Sequence, residues 1–171
     1  MIETKRLIFR RWTKEDAAAL YALASDPEVG PHAGWPVHTS IEESRAVIKE
    51  YFSNDYTWAL VSKQTGAIIG CMGYYPYGES NIDIGKEDAE VGYWNQGYCT
   101  EALYAMIGYC FNVKRFQTLW ADYFIDNPAS GRVMDKCGFT DTGKKNYCSR
   151  LLHGDDKPIC VMRLDYSAYR P

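Results

Sequence analysis

The sequence predicts a mixed α+β fold in a single domain that spans residues 1–171, and two patterns carry this prediction. Two strand-like segments, 56–62 and 67–75, are separated by a short turn that ends in Gly66, which is typical of an antiparallel hairpin. Between residues 90 and 123 a strand, a glycine loop, a helix and a second strand follow one another, which predicts a βαβ unit with a parallel pair. Both kinds of pairing in one chain indicate a mixed sheet.

The length and composition suit one domain with a hydrophobic core. The chain has 171 residues, of which 46% are hydrophobic. A formal charge of -3 and a pI near 5.6 predict no general attraction to nucleic acid or to an anionic membrane. No stretch approaches the ~18 apolar residues of a membrane helix, and the first residues lack the apolar core of a signal peptide. We therefore expect a cytoplasmic protein with no nucleic-acid and no membrane partner.

The cysteines and histidines do not form a disulfide or metal-binding framework. The six cysteines include no CxxC pair, and a chain of this length builds a core without disulfides. The three histidines stand at no ligand spacing from a cysteine. We expect reduced thiols and no metal site.

The N-terminal part is expected to place two helices after the first strand. Residues 6–12 alternate apolar and basic side chains as a strand does, and Thr13 then offers the cap of a helix that ends near Ala24. Pro and Gly residues break the chain before Ser40. This serine, followed by Glu43, is the signal of a second helix start.

The C-terminal part is expected to contain two more helices and two more strands. The helix after the glycine loop should run from about residue 100 to 112. Asn127 and Pro128 predict another helix start, because Asn suits the N-cap and Pro suits the first helical position. The final strands are expected near 140–149 and 159–165.

The glycine loop before the third helix is the first candidate binding site. The first-turn amides of a helix and the positive end of its dipole face the same point, where they bind phosphate groups. Gly97 lets the backbone approach a ligand closely, and Cys99 and Thr100 would offer N–H groups. A strand–glycine–helix turn without any ligand has the same local pattern, so this motif alone leaves the function open.

A second motif, after the next strand, makes the pattern specific. It reads Asn-Pro-Ala-Ser at 127–130 and Lys-Cys-Gly-Phe at 136–139. With Glu-Val-Gly-Tyr-Trp at 90–94 and Gly-Tyr-Cys-Thr-Glu-Ala at 97–102, it resembles the GNAT acetyltransferases, and particularly the branch of the ribosomal-protein alanine acetyltransferases. The resemblance covers nearly the whole chain, including an opening strand at 3–7.

The resemblance implies both a fold and an activity. The GNAT fold is a mostly antiparallel twisted sheet with one splayed parallel pair and about four flanking helices. The activity is that of an acetyl-CoA-dependent N-acetyltransferase, in which a primary amine attacks the thioester directly. A non-catalytic acyl-CoA-binding or regulatory module on the same fold is the alternative. A nucleotide-binding protein is disfavoured because no Lys-Ser/Thr follows the loop glycine.

By the same resemblance, acetyl-CoA is the co-substrate and binds along the loop and the splayed strands. Strand backbone at Tyr93, Trp94 and Tyr123 would hold the pantetheine arm. Lys136 would reach the nucleotide phosphate, or would simply be a solvated surface lysine. The residues assigned to the coenzyme are Tyr93, Trp94, Asn95, Gln96, Gly97, Tyr98, Cys99, Thr100, Asn127, Ser130 and Lys136.

Two departures from the family pattern affect the loop and the strand before it. The family loop Arg/Gln-x-x-Gly-x-Gly/Ala has Trp94 at its first position here and Cys99 at its last, and a role for Cys99 beyond packing is left open. The strand also runs into the loop without the spacer that relatives carry. Either Glu90 therefore lies on the strand, or residues 81–85 do and Asp83 faces the site.

A carboxylate and a hydroxyl are the candidate proton carriers. An amine with a pKa near ~10 must lose a proton before it attacks, so a base is useful, and Glu90 suits this role unless it is a surface partner of a basic residue. Many GNAT enzymes protonate the leaving thiolate with a tyrosine at the position of Met134. Ser130 is then the acid candidate, or else a first-turn serine that bonds the helix backbone.

The acceptor amine is expected to lie against aromatic loops. His32 and Trp35 come between the first two helices, and Tyr75 follows the hairpin strand. Aromatic side chains on loops line pockets, although they also cover small cores. The acceptor is a small-molecule or peptide amine whose identity the sequence does not give, and the oligomeric state stays open, a homodimer included.

Overall fold

The fold is built on one eight-stranded sheet. The computed structural model describes residues 2–30, 35–80, 82–95, 98–148 and 157–170, with only the backbone for 93–95 and 145–148. The strands within these ranges are β1 Ile2–Glu3, β2 Leu7–Arg10, β3 Thr57–Ser62, β4 Ile68–Pro76, β5 Asp88–Asn95, β6 Thr118–Phe124, β7 Thr140–Cys148 and β8 Lys157–Asp165.

The sheet is antiparallel at every described strand pair except one. The strand order is β1-β2-β3-β4-β5-β6-β8-β7, and β5 pairs with β6 in parallel. The predicted hairpin is β3 and β4, which pair antiparallel through a turn in which Gly66 has a φ of 70°. The mixed α+β fold and the βαβ unit that the sequence predicts are therefore confirmed.

Two of the helices begin at the caps that the sequence indicates. The Ser40 side chain accepts a hydrogen bond from the Glu43 amide, and Asn127 does the same for the Ser130 amide, so both act as N-caps. Within the described ranges the α-helices are α1 Ala17–Ala24, α2 Ile41–Val47, α3 Cys99–Tyr109 and α4 Pro128–Lys136. Short 3₁₀ turns lie at Lys14–Asp16 and Tyr166–Ala168, and π-helical turns at Ile48–Phe52 and Cys110–Lys114 extend α2 and α3.

The start of the chain differs from the expected continuous strand. Residues 4–6 form a turn between β1 and β2, so the strand expected over 3–7 is interrupted, whereas the one expected over 6–12 is present as the shorter β2, Leu7–Arg10. The Thr4 amide donates to the Leu7 carbonyl at 3.0 Å, and the Thr4 hydroxyl accepts from the Leu7 amide at 2.9 Å. These local bonds close a tight turn that alternation of side chains cannot reveal.

The two faces of the sheet carry different helices. Met72 and Val91 belong to the larger core cluster, which α3 and α4 cover with side chains such as Leu103 and Met134. Cys71, one residue from Met72, belongs to a smaller cluster formed with α1, the π-helical turn after α2, and Trp12. Because alternate residues of a strand point to opposite faces, α3 and α4 lie on one side of the sheet and α1 and α2 on the other.

The described residues also show the length of the helices and the state of the cysteines. None of the helices in the described ranges is long and apolar enough to span a bilayer. The cysteines whose side chains are described are free thiols. Over those same ranges no three His, Cys, Asp or Glu side chains are grouped as a metal site.

The contact of α4 with β6 generates the first prediction. Gly131 is buried, and a Cβ built on it would lie 2.7 Å from Cζ of Tyr123. Replacing a helical glycine by alanine normally stabilises a helix by up to ~1 kcal/mol. Here overpacking should dominate, so we expect Gly131→Ala to lower the free energy of unfolding by about 1–3 kcal/mol in urea denaturation.

Gly108→Ala is the matched control for this substitution. Gly108 also lies inside a helix, α3, but its added Cβ would meet only the terminal hydroxyl of Tyr169, at 3.2 Å, and the side-chain amide of Asn112, at 3.9 Å. The control should leave the stability unchanged or raise it. Equal stability of Gly131→Ala and the wild type would contradict the close packing of α4 on Tyr123.

Candidate active site

An opening between β5 and β6 defines the candidate active site. The two strands pair at only three positions, of which Glu90 with Trp120 is the last. Beyond it β5 stays on β4 as far as Asn95, and β6 stays on β8 as far as Phe124. The facing edges of β5 and β6 are therefore not bonded to each other past Glu90, which is the predicted splay. Peptide groups along such an edge suit an extended ligand that carries amides.

The start of α3 lies at the carboxyl end of β5, beside this opening. Tyr98 is the N-cap residue, and its side chain makes no capping hydrogen bond. Cys99 and Thr100 form the first turn and are half-buried. The first turn of this eleven-residue helix thus brings its amides and its positive dipole end to the place where open α/β sheets bind ligands.

Part of the predicted coenzyme loop is outside the described residues. Gln96 and Gly97 belong to that part. For Tyr93, Trp94 and Asn95 the backbone alone is described, and it lies on β5 in register with β4.

The start of α4 brings two further predicted residues together. Oδ1 of Asn127 accepts from the Ser130 amide at 3.4 Å, and the Asn127 carbonyl accepts from the same amide at 3.1 Å. Both residues are half-buried. Lys136 is exposed in the last turn of the helix, whereas Met134 is 1% exposed and belongs to the core. The structure thus places Met134 as a packing residue.

Glu90 is buried at the closed end of the opening. It is 2% exposed, and its Oε2 accepts a hydrogen bond from the Ser80 hydroxyl at 2.8 Å. The same hydroxyl accepts from the Ile82 amide at 3.0 Å and lies 2.9 Å from the Ile82 carbonyl, so the loop before β5 folds back over the carboxylate. Asp83 is exposed in that loop and lies outside the strand. The structure therefore agrees with the interpretation in which Glu90 lies on the strand, and not with the one that places Asp83 there.

Tyr75 on β4 shares a face of the sheet with Glu90, its register partner on β5. Gly73 and Gly92 are also register partners, and a Cβ on either would lie within 3.2 Å of the Tyr75 side chain. The ring therefore lies flat over two positions without side chains. Tyr56 contacts it edge-on, with 5.8 Å between the ring centroids. The Tyr75 ring thus forms an aromatic floor next to the carboxylate on the α1 and α2 side of the sheet, whereas Tyr56 packs against the larger core cluster.

The other predicted acceptor residues have different environments. Trp35 packs its indole against Gly30 and the small core of α1 and α2. His32 lies outside the described residues. His38, for which the sequence suggests no role, is 5% exposed, and its Nδ1 lies 2.8 Å from the Ser44 hydroxyl. Burial lowers the pKa of His38, which favours the neutral ring as an anchor between the two helices.

The sequence also gave no indication of two hydrogen bonds beside the opening. Ser80 holds Glu90, and Asp88 accepts a hydrogen bond from the Trp120 indole at 3.0 Å across the parallel pair. Ser80 comes from a loop, and Trp120 lies 32 residues after Asp88. No local pattern connects these partners.

The fold and the opening together define the class of protein. A mostly antiparallel sheet with one splayed parallel pair, followed by a helix start at the splay, is the architecture of a GNAT acetyltransferase. The chain belongs to this family, because the sequence model of the Acetyltransferase (GNAT) domain matches residues 6–140. Membership implies transfer of an acetyl group from acetyl-CoA to an amine.

Individual relatives agree with the family assignment. An uncharacterized N-acetyltransferase YoaA of Bacillus subtilis (strain 168) is 29% identical over 154 residues, 84% of each chain. A putative ribosomal-protein-serine acetyltransferase from Vibrio cholerae has a TM-score of 0.76 at 23% identity over 96% of both chains. A spermidine N-acetyltransferase from Vibrio cholerae, solved with CoA and spermine, has a TM-score of 0.75 at 15% identity, covering 97% of this chain and 99% of that one.

The Ser80–Glu90 bond generates a prediction about stability. Ser80→Ala removes a donor from a buried carboxylate, so we expect the free energy of unfolding to fall by about 1–3 kcal/mol. In a Glu90→Gln background the same substitution should cost less, because the charged acceptor is gone. Urea denaturation of the four proteins of this cycle gives the coupling energy.

Ser53→Ala is the control for the Ser80 cycle. Its hydroxyl donates a hydrogen bond to the Ile48 carbonyl at 2.9 Å, but it is remote from Glu90 in the chain. Its effect should be the same in the wild-type and the Glu90→Gln backgrounds. A coupling energy near zero between Ser80 and Glu90 would show that the bond does not hold the carboxylate.

Proposed function

We propose that the chain is an N-acetyltransferase that places a primary amine on the Glu90 face of the sheet and acetyl-CoA in the opening between β5 and β6. The observation that carries the proposal is the position of Glu90, a buried carboxylate at the point where the parallel ladder ends. A group that lies between the splayed strands there has this carboxylate beside it. The start of α3 is at the other end of the same opening.

The residues around the opening fit coenzyme A. The peptide groups of β5 at Tyr93 and Trp94 lie along the opening, where they would bond the amides of the pantetheine arm. The amides of Cys99 and Thr100, with residues 95–98, would hold the pyrophosphate. Asn127, Ser130 and the exposed Lys136 are the proposed contacts from α4. Bound here, acetyl-CoA supplies the activated acetyl group.

Glu90 is the proposed general base. The amine arrives mostly protonated at neutral pH, since its pKa is near ~10, and only the neutral form attacks. A carboxylate that is held by Ser80 and surrounded by protein can accept this proton directly or through a water molecule. The aromatic floor of Tyr75 lies on the same face, so it would contact the acceptor beside the base.

Ser130 is the proposed proton donor on the coenzyme side. Its amide is fixed by the Asn127 cap, which places the residue in the first turn of α4. Its side chain is half-buried. The buried thioether of Met134 cannot donate a proton. The same methionine is the observation that favours the second candidate, a CoA-binding module without turnover.

Two acceptor classes follow from the relatives. One is a polyamine, as in the spermidine N-acetyltransferase, and the other is a protein N-terminus, as in the ribosomal-protein-serine acetyltransferase. The aromatic floor beside a carboxylate suits a cationic amine of either kind. A panel of acceptors is therefore needed to separate them.

Thiol release from acetyl-CoA tests the proposed function. The purified protein is incubated with acetyl-CoA and a panel that contains spermidine, aminoglycosides and peptides that begin with Ala or Ser. We expect one class to drive release. Glu90→Gln should lower kcat about 100-fold or more, and Ser130→Ala should lower it about 10-fold, because each removes a proton carrier.

Calorimetric titration with CoA is the control for these two variants. Glu90→Gln should bind CoA as the wild type does, if it acts on chemistry rather than on folding, whereas Ser130→Ala should weaken CoA binding by no more than the loss of one hydrogen bond, about 5-fold. Coenzyme binding without release by any amine would favour the non-catalytic module. No binding of CoA by the wild type would contradict the proposal.

Asn127 has two roles in this proposal, as the N-cap of α4 and as a coenzyme contact, and two substitutions separate them. Asn127→Ser keeps an N-cap oxygen and loses the amide NH₂, whereas Asn127→Ala loses both. We expect Asn127→Ala to lower the free energy of unfolding by about 1 kcal/mol and Asn127→Ser to change it little. Both should weaken CoA binding about 5-fold, the equivalent of one hydrogen bond of ~1 kcal/mol. Full CoA affinity in Asn127→Ser would assign the residue to capping alone.

A further inference from the structure

The carboxylate of Glu101 binds a distant turn of the chain. Glu101 is the third residue of α3, and its Oε1 accepts hydrogen bonds from the Thr4 hydroxyl and, at 3.0 Å, from the Arg6 amide. Its Oε2 accepts from Nε of Arg6. These bonds join the first turn of α3 to the turn between β1 and β2, across 95 residues of sequence.

The turn that Glu101 contacts is itself fixed to the sheet. The Lys63 ammonium donates to the Thr4 carbonyl at 2.8 Å and to Glu3 at 2.9 Å. The Lys63 amide donates to the Arg6 carbonyl at 2.8 Å. Glu101 therefore ties the start of α3 to a rigid part of the fold.

Arg6 also holds the residue before the helix. Its guanidinium lies 4.2 Å from the centre of the Tyr98 ring while it bonds Glu101. Tyr98 is the N-cap residue of α3 and directly follows Gly97 in the sequence. One arginine thus contacts both sides of the helix start.

The geometry of Glu101 differs from ordinary helix capping. A glutamate at the third helical position commonly turns back to the N-cap amide. Here both oxygens are used by residues of another segment. Partial burial acts to raise the pKa of Glu101, but the bonds from Thr4 and Arg6 outweigh it, so the pKa is lowered and the group is ionised at neutral pH. Because Glu101 forms an ion pair with Arg6, its carboxylate repels an anion at the start of α3 less strongly.

We infer that Glu101 is a positioning residue for coenzyme binding, which holds the first turn of α3 in place through Thr4 and Arg6. The inference rests on the proposed function, because it assumes that this turn binds the coenzyme pyrophosphate. Neither Glu101 nor Thr4 touches the reacting groups. Their loss should weaken CoA binding and leave the chemical step intact.

Calorimetric titration with CoA tests the inference without any acceptor. We expect Glu101→Ala and Thr4→Val to weaken CoA binding about 10-fold. Thr4→Ser keeps the hydroxyl and should bind CoA as the wild type does. Glu3→Gln is the matched control, because it removes the ion pair with Lys63 on the same turn but leaves the bonds to α3. With an active acceptor, the KM for acetyl-CoA should rise by the same factor, while kcat and the acceptor KM stay within about 2-fold.

The outcomes separate this inference from the proposed function. If the wild type binds CoA and both Glu101→Ala and Thr4→Val bind it equally well, the positioning role is wrong and the proposed function is untouched. If Glu3→Gln weakens binding as much as they do, the effect comes from the turn in general and the role is wrong. If Glu101→Ala does not fold, Glu101→Gln decides, because it keeps the length of the side chain and removes the ion pair with Arg6. If the wild type does not bind CoA, the proposed function and this inference both fail.

Discussion

The early end of the β5–β6 ladder is the constraint on which the site depends. Each strand of this pair follows its antiparallel neighbour, β4 for β5 and β8 for β6, beyond the point where the two part. Because neighbouring strands twist relative to one another, a pair that is not bonded spreads apart. The gap opens at the carboxyl ends of both strands, and α3 starts there because the crossover from β5 to β6 begins there.

The same constraint separates two halves of the proposed chemistry. Ala89 and Val91 point into the core under α3 and α4, so Glu90 between them points to the face of α1 and α2. On that face the Tyr75 ring lies over Gly73 and Gly92, which are register partners. A coenzyme in the gap and an amine on this face would meet only at the gap. The buried carboxylate stands at that meeting point, which is why burial and position together support its role.

Local patterns predicted the parts of the fold that local physics determines. The hairpin turn at Gly66 and the caps at Ser40 and Asn127 depend on residues within a few positions of one another, and the structure has them as expected. The bonds of Glu101 to Thr4 and of Ser80 to Glu90 depend on the assembled sheet. Glu, Thr and Ser are common on protein surfaces, so their presence in the sequence does not indicate these bonds. Their pairing could not be predicted without the register of the strands.

The helix that carries Ser130 places Met134 in the core. Residues four apart lie on the same face of a helix, so Ser130 and Met134 share one face of α4. Met134 is buried in the core under that face, and Gly131 brings the helix down onto the Tyr123 ring. Ser130 lies one turn nearer the helix start, where the core gives way to the strand ends. A half-buried serine at this position suits the proposed proton donor, while Met134 contributes packing to the core under α4.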